Sequence, residues 1–371
     1  MTRIRVLVVD DAVVVRRMVA DALAQDPAIE VVGSAANGRI ALQKISQCAP
    51  DAVTLDIEMP ELDGLQALRE IRRLHPRLPV IMFSTLTERG AVKTLEALAL
   101  GATDYVTKPA NVGGVAEGMQ RVREELVPKI KAICGRSHPA PAVPAHGRAE
   151  AAGASTSRVD VVAVGVSTGG PNALARIVPA LPAAFPVPVL IVQHMPPLFT
   201  AILADRLDAQ AALAVREARS GDPLRPGVVY LAPGGQHMVV RRHGVDAVVD
   251  LTQTPPENSC RPSVDVLFRS VAALFGPGAL GVVLTGMGED GTRGARAIRD
   301  AGGQVLAQDE ATSVVWGMPG QVVRAGLADR VLPLDLIAPE LVRRTGARAV
   351  TPGGPARVVQ PPGSAERSAS P

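Results

Sequence analysis

Apolar and polar positions along residues 1–125 predict strands and helices in alternation. Short apolar runs, typical of buried strands, are followed by segments in which apolar residues such as Val15, Val19 and Ala22 recur at helical spacing. Strands that alternate with helices form a parallel sheet covered on both faces. Five strands are predicted, over residues 4–9, 29–35, 52–55, 79–83 and 104–107.

Residues 159–346 begin and end with the same alternation but differ in the middle. We expect strands over 159–166, 187–193, 279–284 and 304–307. Four helices are expected as well: two begin at Pro171 and Pro197, and two cover 263–275 and 291–301. A Gly/Pro-rich stretch between them carries three apolar runs, over 228–232, 237–241 and 247–251, that we expect to be antiparallel. The prediction is a doubly wound α/β domain with an antiparallel hairpin.

Composition separates these two regions from each other and from the C-terminal residues. Residues 134–158 are dominated by Ala, Pro, Gly and Ser, which bury too little surface to offset the loss of chain entropy on folding. The last residues, 351–371, have a similar composition. The predicted organisation is a first domain over 1–125, a linker over 126–158, a second domain over 159–346 and a disordered tail over 347–371.

Composition and charge also exclude several classes of protein. Aromatic residues make up only 2% of the chain, so there is little material for a base-stacking surface. The net charge is +3 and the basic residues are interspersed with acidic ones, which argues against a nucleic-acid footprint. No apolar run approaches the length of a membrane span, and the first apolar run is too short for a signal peptide. The 3 cysteines are far apart and suggest a reduced compartment, so we expect a cytoplasmic protein.

Carboxylates follow two of the strands predicted in the first region. Asp10 and Asp11 end the first strand and Asp56 ends the third, which would gather them at one edge of a parallel sheet. Such a cluster repels itself unless a hard cation such as Mg²⁺ is bound there. Ser84 ends the fourth strand and Lys108 follows the fifth, where a lysine could neutralise a phosphoryl group. Each residue alone has an ordinary explanation as a helix cap or turn residue, but the set fits none of these well.

In these residues the first region resembles the receiver domain of two-component response regulators, which has a flavodoxin-like fold. The resemblance implies that Asp56 accepts a phosphoryl group from a chemotaxis histidine kinase. It also implies that Asp11, Asp56 and the Glu58 carbonyl hold Mg²⁺, that Asp10 acts through water, and that Lys108 pairs with the phosphoryl group. It further implies that Ser84 and Tyr105 report phosphorylation to the outer face. The match covers about residues 3–125 and includes Asp10-Asp11, Asp56, Met59-Pro60, Asp63-Gly64, Ser84, Gly101-Ala102, Tyr105 and Lys108-Pro109.

A serine in a glycine-rich turn ends the first strand of the second region. Ser167 lies between Gly165 and Gly169, and Pro171 suits the first position of a following helix. Such a turn lifts a hydroxyl above the sheet and brings helix N–H groups near an anion. The turn could equally cap a helix or cradle a phosphate, or it could be the nucleophile elbow of an α/β-hydrolase.

Chain order argues against the α/β-hydrolase, in which an acid separates the serine from the histidine. His194 follows the next strand and is the best candidate for a base, whereas His237 and His243 are expected to be structural or to contact substrate. Asp290 follows a later strand and could orient His194, although Glu289 could compete with it and Asp290 could instead cap the next helix. The backbone N–H of Met287 is a candidate oxyanion donor.

The second region resembles the catalytic domain of chemotaxis protein-glutamate methylesterases. The resemblance implies a Ser167–His194–Asp290 triad supported by Thr168 and Met287, with no cofactor for ester hydrolysis. Methyl-accepting chemotaxis receptors would be the substrates, and deamidation of receptor glutamines stays open. Phosphorylation of the receiver would uncover the active site. We expect the protein to be a monomer. Cys260 is interpreted as a packing residue. The match covers about residues 159–341 and includes the segments 165–171, 192–196, 232–238, 261–267, 284–291 and 315–319.

Two other functions fit the sequence less well. A DNA-binding response regulator would carry a basic helical effector, and the second region is too long, too rich in strands and too rich in glycine for that. A non-catalytic module that only binds receptors would not need the complete set of Ser167, His194 and Asp290.

Overall fold

Two parallel sheets, each covered by helices, form the centres of two α/β domains in the computed structural model, which describes residues 3–108, 115–135 and 158–347. The first sheet consists of β1 (Ile4–Val9), β2 (Ile29–Ala35), β3 (Ala52–Asp56), β4 (Val80–Ser84) and β5 (Asp104–Thr107). The helices of this domain are α1 (Val13–Ala24), α2 (Gly38–Cys48), α3 (Gly64–Leu74), α4 (Glu88–Ala99) and α5 (Val115–Cys134). The strand order β2-β1-β3-β4-β5 and the all-parallel pairing confirm the flavodoxin-like prediction.

The second domain is built on a sheet of seven strands with the order β14-β13-β12-β6-β7-β9-β8, in which every neighbouring pair is parallel. Its strands are β6 (Val161–Val166), β7 (Val189–Gln193), β8 (Ala214–Glu217), β9 (Val228–Leu231), β12 (Ala279–Val283), β13 (Gln304–Gln308) and β14 (Arg330–Leu332). The helices are α6 (Gly170–Ile177), α7 (Phe199–Asp208), α8 (Val264–Phe275), α9 (Thr292–Asp300), α10 (Met318–Arg324) and α11 (Leu334–Thr345).

The middle of this domain was predicted only in part. The strands β10 (His237–His243) and β11 (Asp246–Thr252) form the expected antiparallel hairpin. The prediction that β9 is antiparallel as well is wrong, because it lies inside the main sheet and pairs in parallel with β7 and β8. Val229, Tyr230 and Leu231 are fully buried in β9, as is usual for an inner strand of a parallel sheet.

Helix α5 corrects the predicted end of the first domain. It continues to Cys134, nine residues beyond the predicted boundary at residue 125. Leu126, Ile130 and Ile133 lie buried along it and belong to the apolar cluster that includes Val19 of α1. Residues 126–134 therefore belong to the first domain because they complete its core, and the rest of the predicted linker and the tail lie largely outside the described residues. Of the helices in the described ranges, none is both long enough and apolar enough to cross a bilayer.

The two domains contact each other through α4 and β5 of the first and α6 and α7 of the second. The ring of Tyr105 stacks on that of Phe199, with centroids 5.1 Å apart and planes inclined by 7°. Asn172 Nδ2 donates a hydrogen bond to the carbonyl of Ala102 over 3.1 Å. Arg206 donates to the carbonyl of Leu95. The receiver-like domain thus lies against the helix that begins directly after the Ser167 turn.

Candidate active site and acidic pocket

The predicted carboxylates of the first domain do meet at the carboxyl edge of its sheet. Asp10 and Asp56 are buried and Asp11 is exposed, and ligand oxygens of the three lie within 4.8 Å of one another. Lys108 Nζ lies 2.8 Å from Asp56 Oδ1 and 2.9 Å from Asp10 Oδ2. The cleft beside them has a volume of ≈ 270 Å³ and is also lined by Glu58 and Ser84.

Burial dominates the electrostatics of this pocket. It raises the pKa of Asp56 to about 6, because the hydrogen bond and charge of Lys108 offset only part of the desolvation. The pKa of Asp10 is raised for the same reason. Burial lowers the pKa of Lys108, but its contacts with Asp56 and Asp10 outweigh this and raise it. The pocket contains one ammonium group and three carboxylates, so negative charge on oxygen atoms is in excess. Such a set of oxygen ligands suits a hard cation such as Mg²⁺.

The two residues expected to report phosphorylation of Asp56 are both buried. Ser84 Oγ is buried and donates to the carbonyl of Gly90 over 3.2 Å, while Thr94 Oγ1 donates to Ser84 Oγ over 2.7 Å. Tyr105 is expected to report phosphorylation to the outer face of the receiver. It is buried, because the second domain covers that face through the stacked ring of Phe199.

Close backbone approaches shape the turn that carries Ser167. Gly169 has a φ of +77°, which favours glycine. A Cβ on Gly170 would lie 1.9 Å from Gln193 Oε1, and a Cβ on Gly286 would lie 2.8 Å from Ser167 Cβ. The turn is therefore packed between the ends of β7 and β12, and only glycine fits at these positions.

Ser167 and His194 follow neighbouring positions of paired strands. Val166 of β6 is opposite Gln193 of β7, and the His194 N–H donates to the carbonyl of Val166 over 3.1 Å. The Gln193 side chain reinforces this arrangement, since its Nε2 donates to the carbonyls of both Ser167 and His194 over 3.1 Å. Sequence reasoning missed this role of Gln193 because nothing in the local pattern indicates where its side chain turns.

His194 is held by Asp290, as the sequence predicted, with a distance of 2.8 Å between Nε2 and Oδ2. Within residues 158–347, no hydrogen bond joins Ser167 Oγ to the histidine ring. Glu289, the competing acid, is exposed. The Asp290 carboxylate also accepts hydrogen bonds over 2.7–3.1 Å from Asn258 Nδ2, Ser263 Oγ and the N–H groups of Val264, Asp265 and Gly291.

These donors decide the charge of Asp290. Burial raises its pKa, but the hydrogen bond and charge of His194 and the N–H groups of Val264 and Asp265 outweigh it and place the pKa well below the usual range. The two N–H groups belong to the start of α8, so Asp290 caps that helix, whereas the sequence suggested a cap of α9. An ionised carboxylate only accepts, so we assign the proton of neutral His194 to Nε2 and its lone pair to Nδ1.

The Nδ1 side of the ring faces Cys260, whose Sγ lies 3.5 Å away. The sequence offered only packing as an interpretation of Cys260, and the structure adds this contact with the histidine ring. Burial lowers the pKa of His194, but the hydrogen bond to Asp290 and the contact with Cys260 outweigh this and raise it to about 9. The sequence offered no signal for this contact, because 66 residues separate Cys260 from the histidine.

The other residues predicted for this site are the two expected to support the triad and two further histidines. Thr168 is buried and Met287 is 37% exposed, and within the described ranges neither N–H donates to another protein group. His237 is fully buried, with Nδ1 accepting from the N–H of Ser263 over 3.1 Å, so it is structural. His243 is exposed at the tip of the β10–β11 hairpin and away from the site.

Family models match both domains of the chain. A family model for CheB methylesterase matches residues 162–341, and a family model for the response regulator receiver domain matches residues 6–118. A protein-glutamate methylesterase/protein-glutamine glutaminase of Trichodesmium erythraeum is 51% identical over 352 residues, 93% of this chain and 100% of that protein. One from Nocardioides sp. is 54% identical over 362 residues, 93% of this chain and 96% of that protein. The crystal structure of the Thermotoga maritima CheB methylesterase catalytic domain is 42% identical and covers 50% of this chain and 99% of that one, with a TM-score of 0.49.

Proposed function

The chain belongs to the CheB methylesterase family, and from this premise we propose that it is a chemotaxis response regulator that hydrolyses glutamate methyl esters on methyl-accepting receptors. The observation that carries the catalytic part is the 2.8 Å contact between His194 Nε2 and Asp290 Oδ2, with Ser167 on the adjoining strand end. Deamidation of receptor glutamines is the second activity, and the names of the relatives favour it.

In the proposed mechanism, Ser167 Oγ attacks the ester carbonyl and its proton passes to His194. The accepting atom is Nδ1 of the neutral ring, because Nε2 is committed to Asp290. Since the pKa of His194 is raised to about 9, the share of enzyme with this free nitrogen increases as the pH rises toward that value. Ionised Asp290 stabilises the imidazolium that forms. The Met287 and Thr168 N–H groups, which have no internal acceptor among the described residues, are the donors proposed for the oxyanion.

Collapse of the tetrahedral intermediate breaks the bond to the methoxy oxygen. The proton on Nδ1 of His194 moves to that oxygen, methanol leaves, and an acyl group stays on Ser167. Water then attacks the acyl group, again giving a proton to His194, and the glutamate carboxylate and free serine are regenerated. A glutamine side chain would follow the same path with ammonia as the leaving group.

For the first domain we propose phosphorylation of Asp56 by a chemotaxis histidine kinase. Asp11, Asp56 and the Glu58 carbonyl would hold Mg²⁺, with Asp10 contributing through water, and the ion would neutralise charge on the transferring phosphoryl oxygens. Lys108 already lies 2.8 Å from Asp56 and would pair with the phosphoryl group. The support is the donor set, which consists of carboxylates gathered within 4.8 Å.

The nucleophile is tested by Ser167→Ala in the full chain. We expect methanol release from methylated receptor fragments, and ammonia release from fragments with glutamine at the same position, to fall to background. Phosphorylation of Asp56 by a small phosphodonor should be unchanged, since Ser167 is in the other domain. Ser46→Ala, on an exposed position of α2, is the matched control. Retention of hydrolysis by Ser167→Ala would rule out this mechanism.

Regulation by the receiver is proposed from the domain contact. Tyr105 stacks on Phe199, and Asn172, five residues after Ser167, bonds to Ala102, so the receiver borders the active-site turn. Phosphorylation would loosen this contact and expose the site. Phe199→Ala should therefore raise basal methanol release toward the rate of the phosphorylated wild-type chain. Basal hydrolysis that is unchanged or lower in this variant would contradict the proposal.

A further inference from the structure

A thiol that the proposed hydrolysis does not use faces the free nitrogen of the catalytic histidine. Cys260 Sγ and His194 Nδ1 are 3.5 Å apart, and the His194 side chain is 13% exposed. Cys260 is itself only partly buried. Both atoms are soft or borderline ligands that transition metals prefer.

The turn that carries Cys260 is firmly built. The N–H of Glu257 donates to the carbonyl of Cys260 over 3.1 Å, and the N–H of Cys260 donates back over 2.9 Å. Arg269 of α8 donates two hydrogen bonds, of 2.7 and 2.6 Å, to the Glu257 carboxylate. The backbone position of the thiol is thus set by a closed turn that is anchored to a helix.

The same turn is tied to the carboxylate that orients His194. Asn258 and Ser259 have φ angles of +53° and +61°, a left-handed turn that asparagine tolerates better than most residues. The Asn258 side chain donates to Asp290 Oδ1 over 2.8 Å, while Asp290 Oδ2 holds Nε2 of His194. Asp290 therefore positions both the thiol-bearing turn and the imidazole.

This arrangement shares the ligand types and the ligand spacing of a zinc site, with two protein ligands in place of three or four. Ligand atoms of His194, Cys260 and Asp290 lie within 4.8 Å of one another. A zinc-binding histidine usually donates its second N–H to a carboxylate, which is the contact that Nε2 makes with Asp290. With typical Zn–N and Zn–S bond lengths and a tetrahedral angle, the two ligand atoms would be about 3.5 Å apart. The oxygens of Asp290 are already engaged by donors, so the carboxylate acts as the orienting group.

We propose that His194 Nδ1 and Cys260 Sγ bind Zn²⁺, with water completing the coordination, and that the bound ion inhibits hydrolysis. Binding forms a Zn–N and a Zn–S bond and releases to solvent the thiol proton together with any proton held on Nδ1. The ion then occupies the lone pair that would accept the Ser167 proton. The inhibition rests on the proposed function, because it requires His194 to be the base, whereas the binding does not.

Binding is measured first, with the full chain in excess Mg²⁺ so that the receiver carboxylates are saturated. Zn²⁺ affinity is read by competition with a chromogenic chelator, and thiolate ligation by the charge-transfer absorption of Co²⁺ in place of Zn²⁺. Cys260→Ser should weaken Zn²⁺ binding about tenfold or more and abolish the absorption band. The matched control is Cys48→Ser/Cys134→Ser, which removes both receiver thiols and should bind as the wild type does.

Activity is measured in parallel as methanol release with and without Zn²⁺, and with a chelator added afterwards. Zn²⁺ should inhibit the wild type and the receiver-thiol control reversibly. For the Cys260→Ser variant, the Zn²⁺ concentration that inhibits the remaining methanol release by half should be about tenfold higher than for the wild type.

The outcomes separate the two proposals. Equal Zn²⁺ binding by the wild type and Cys260→Ser overturns the site, and a bound ion that leaves hydrolysis unchanged overturns the inhibition. If the wild type releases no methanol even without Zn²⁺, the proposed function fails, while the affinity and absorption measurements still decide whether the metal site exists.

Discussion

Asp56 and Asp290 are both buried carboxylates at the carboxyl edge of a parallel sheet, yet their surroundings shift their pKa values in opposite directions. Asp56 accepts one backbone hydrogen bond, from Ile57, and pairs with Lys108, and burial raises its pKa to about 6. Asp290 accepts hydrogen bonds from a histidine, a serine, an asparagine and backbone N–H groups at the N-terminus of α8, and its pKa is lowered. The difference lies in the donors, since both side chains are almost fully buried.

This contrast corresponds to two kinds of chemistry. Asp56 is a nucleophile in the proposed function, and a carboxylate with few donors keeps its lone pairs available to a cation and a phosphoryl group. Asp290 never forms a bond in the proposed hydrolysis, so its lone pairs can all be committed to fixed donors. A buried carboxylate that is short of donors is therefore suited to reaction, and one that is saturated with donors is suited to orientation.

The largest expected effect comes from Asp290→Asn. The amide would present N–H groups to donors and could not stabilise the imidazolium, so methanol release should fall by about 10⁴-fold. The free energy of unfolding of the second domain should fall by about 3 kcal/mol, because α8 loses its charged cap and a buried network is broken. Steady-state methanol release and urea denaturation measure the two effects. If the variant releases methanol at the wild-type rate, Asp290 does not orient the base.

Asp56→Asn should have the opposite effect on stability. Because the folded-state pKa of Asp56 is raised from 3.8 to about 6, its contribution to stability is fully present below pH 4 and is lost as the pH rises through about 6. Relative to the wild type without Mg²⁺, the variant should therefore gain roughly 2–3 kcal/mol of unfolding free energy between pH 4 and pH 7.

Urea denaturation of both chains at several pH values measures this difference. Asp290 gives a comparison of opposite sign within the same molecule, since its lowered pKa means that its stabilisation is lost as the pH falls below about 4. A stability difference between Asp56→Asn and the wild type that is independent of pH would contradict the raised pKa of Asp56.

The smallest effect expected is that of Ser263→Ala, which removes one neutral donor from Asp290. Ser263 precedes α8 but its side chain makes no capping bond to that helix, so the change acts through the 2.8 Å bond to Asp290 Oδ1. The cost should be about 1–2 kcal/mol of unfolding free energy with a modest loss of hydrolysis. Denaturation midpoints and methanol release are again the measurements. A loss as large as that of Asp290→Asn would mean that Ser263 has a role of its own.

Much of the architecture was predictable, and the errors have local causes. The five strands of the first sheet were placed within one residue of their observed ends, because apolar runs bounded by Asp, Ser or Gly are local signals. The strand β9 was assigned to an antiparallel group because glycine and proline flank it, yet its fully buried residues are typical of an inner parallel strand. The short strand β8, with alternating exposure, was not predicted at all.

The sequence by itself determined which chemical groups stand at the sheet edges, because residues that directly follow strands are placed there by chain direction alone. Only the tertiary structure decided that Asp290 is ionised and that the second nitrogen of His194 faces Cys260. These contacts join residues that are 96 and 66 positions apart in the chain. Burial and the number of donors set the charge of a buried group, and both depend on segments that meet only when the chain is folded.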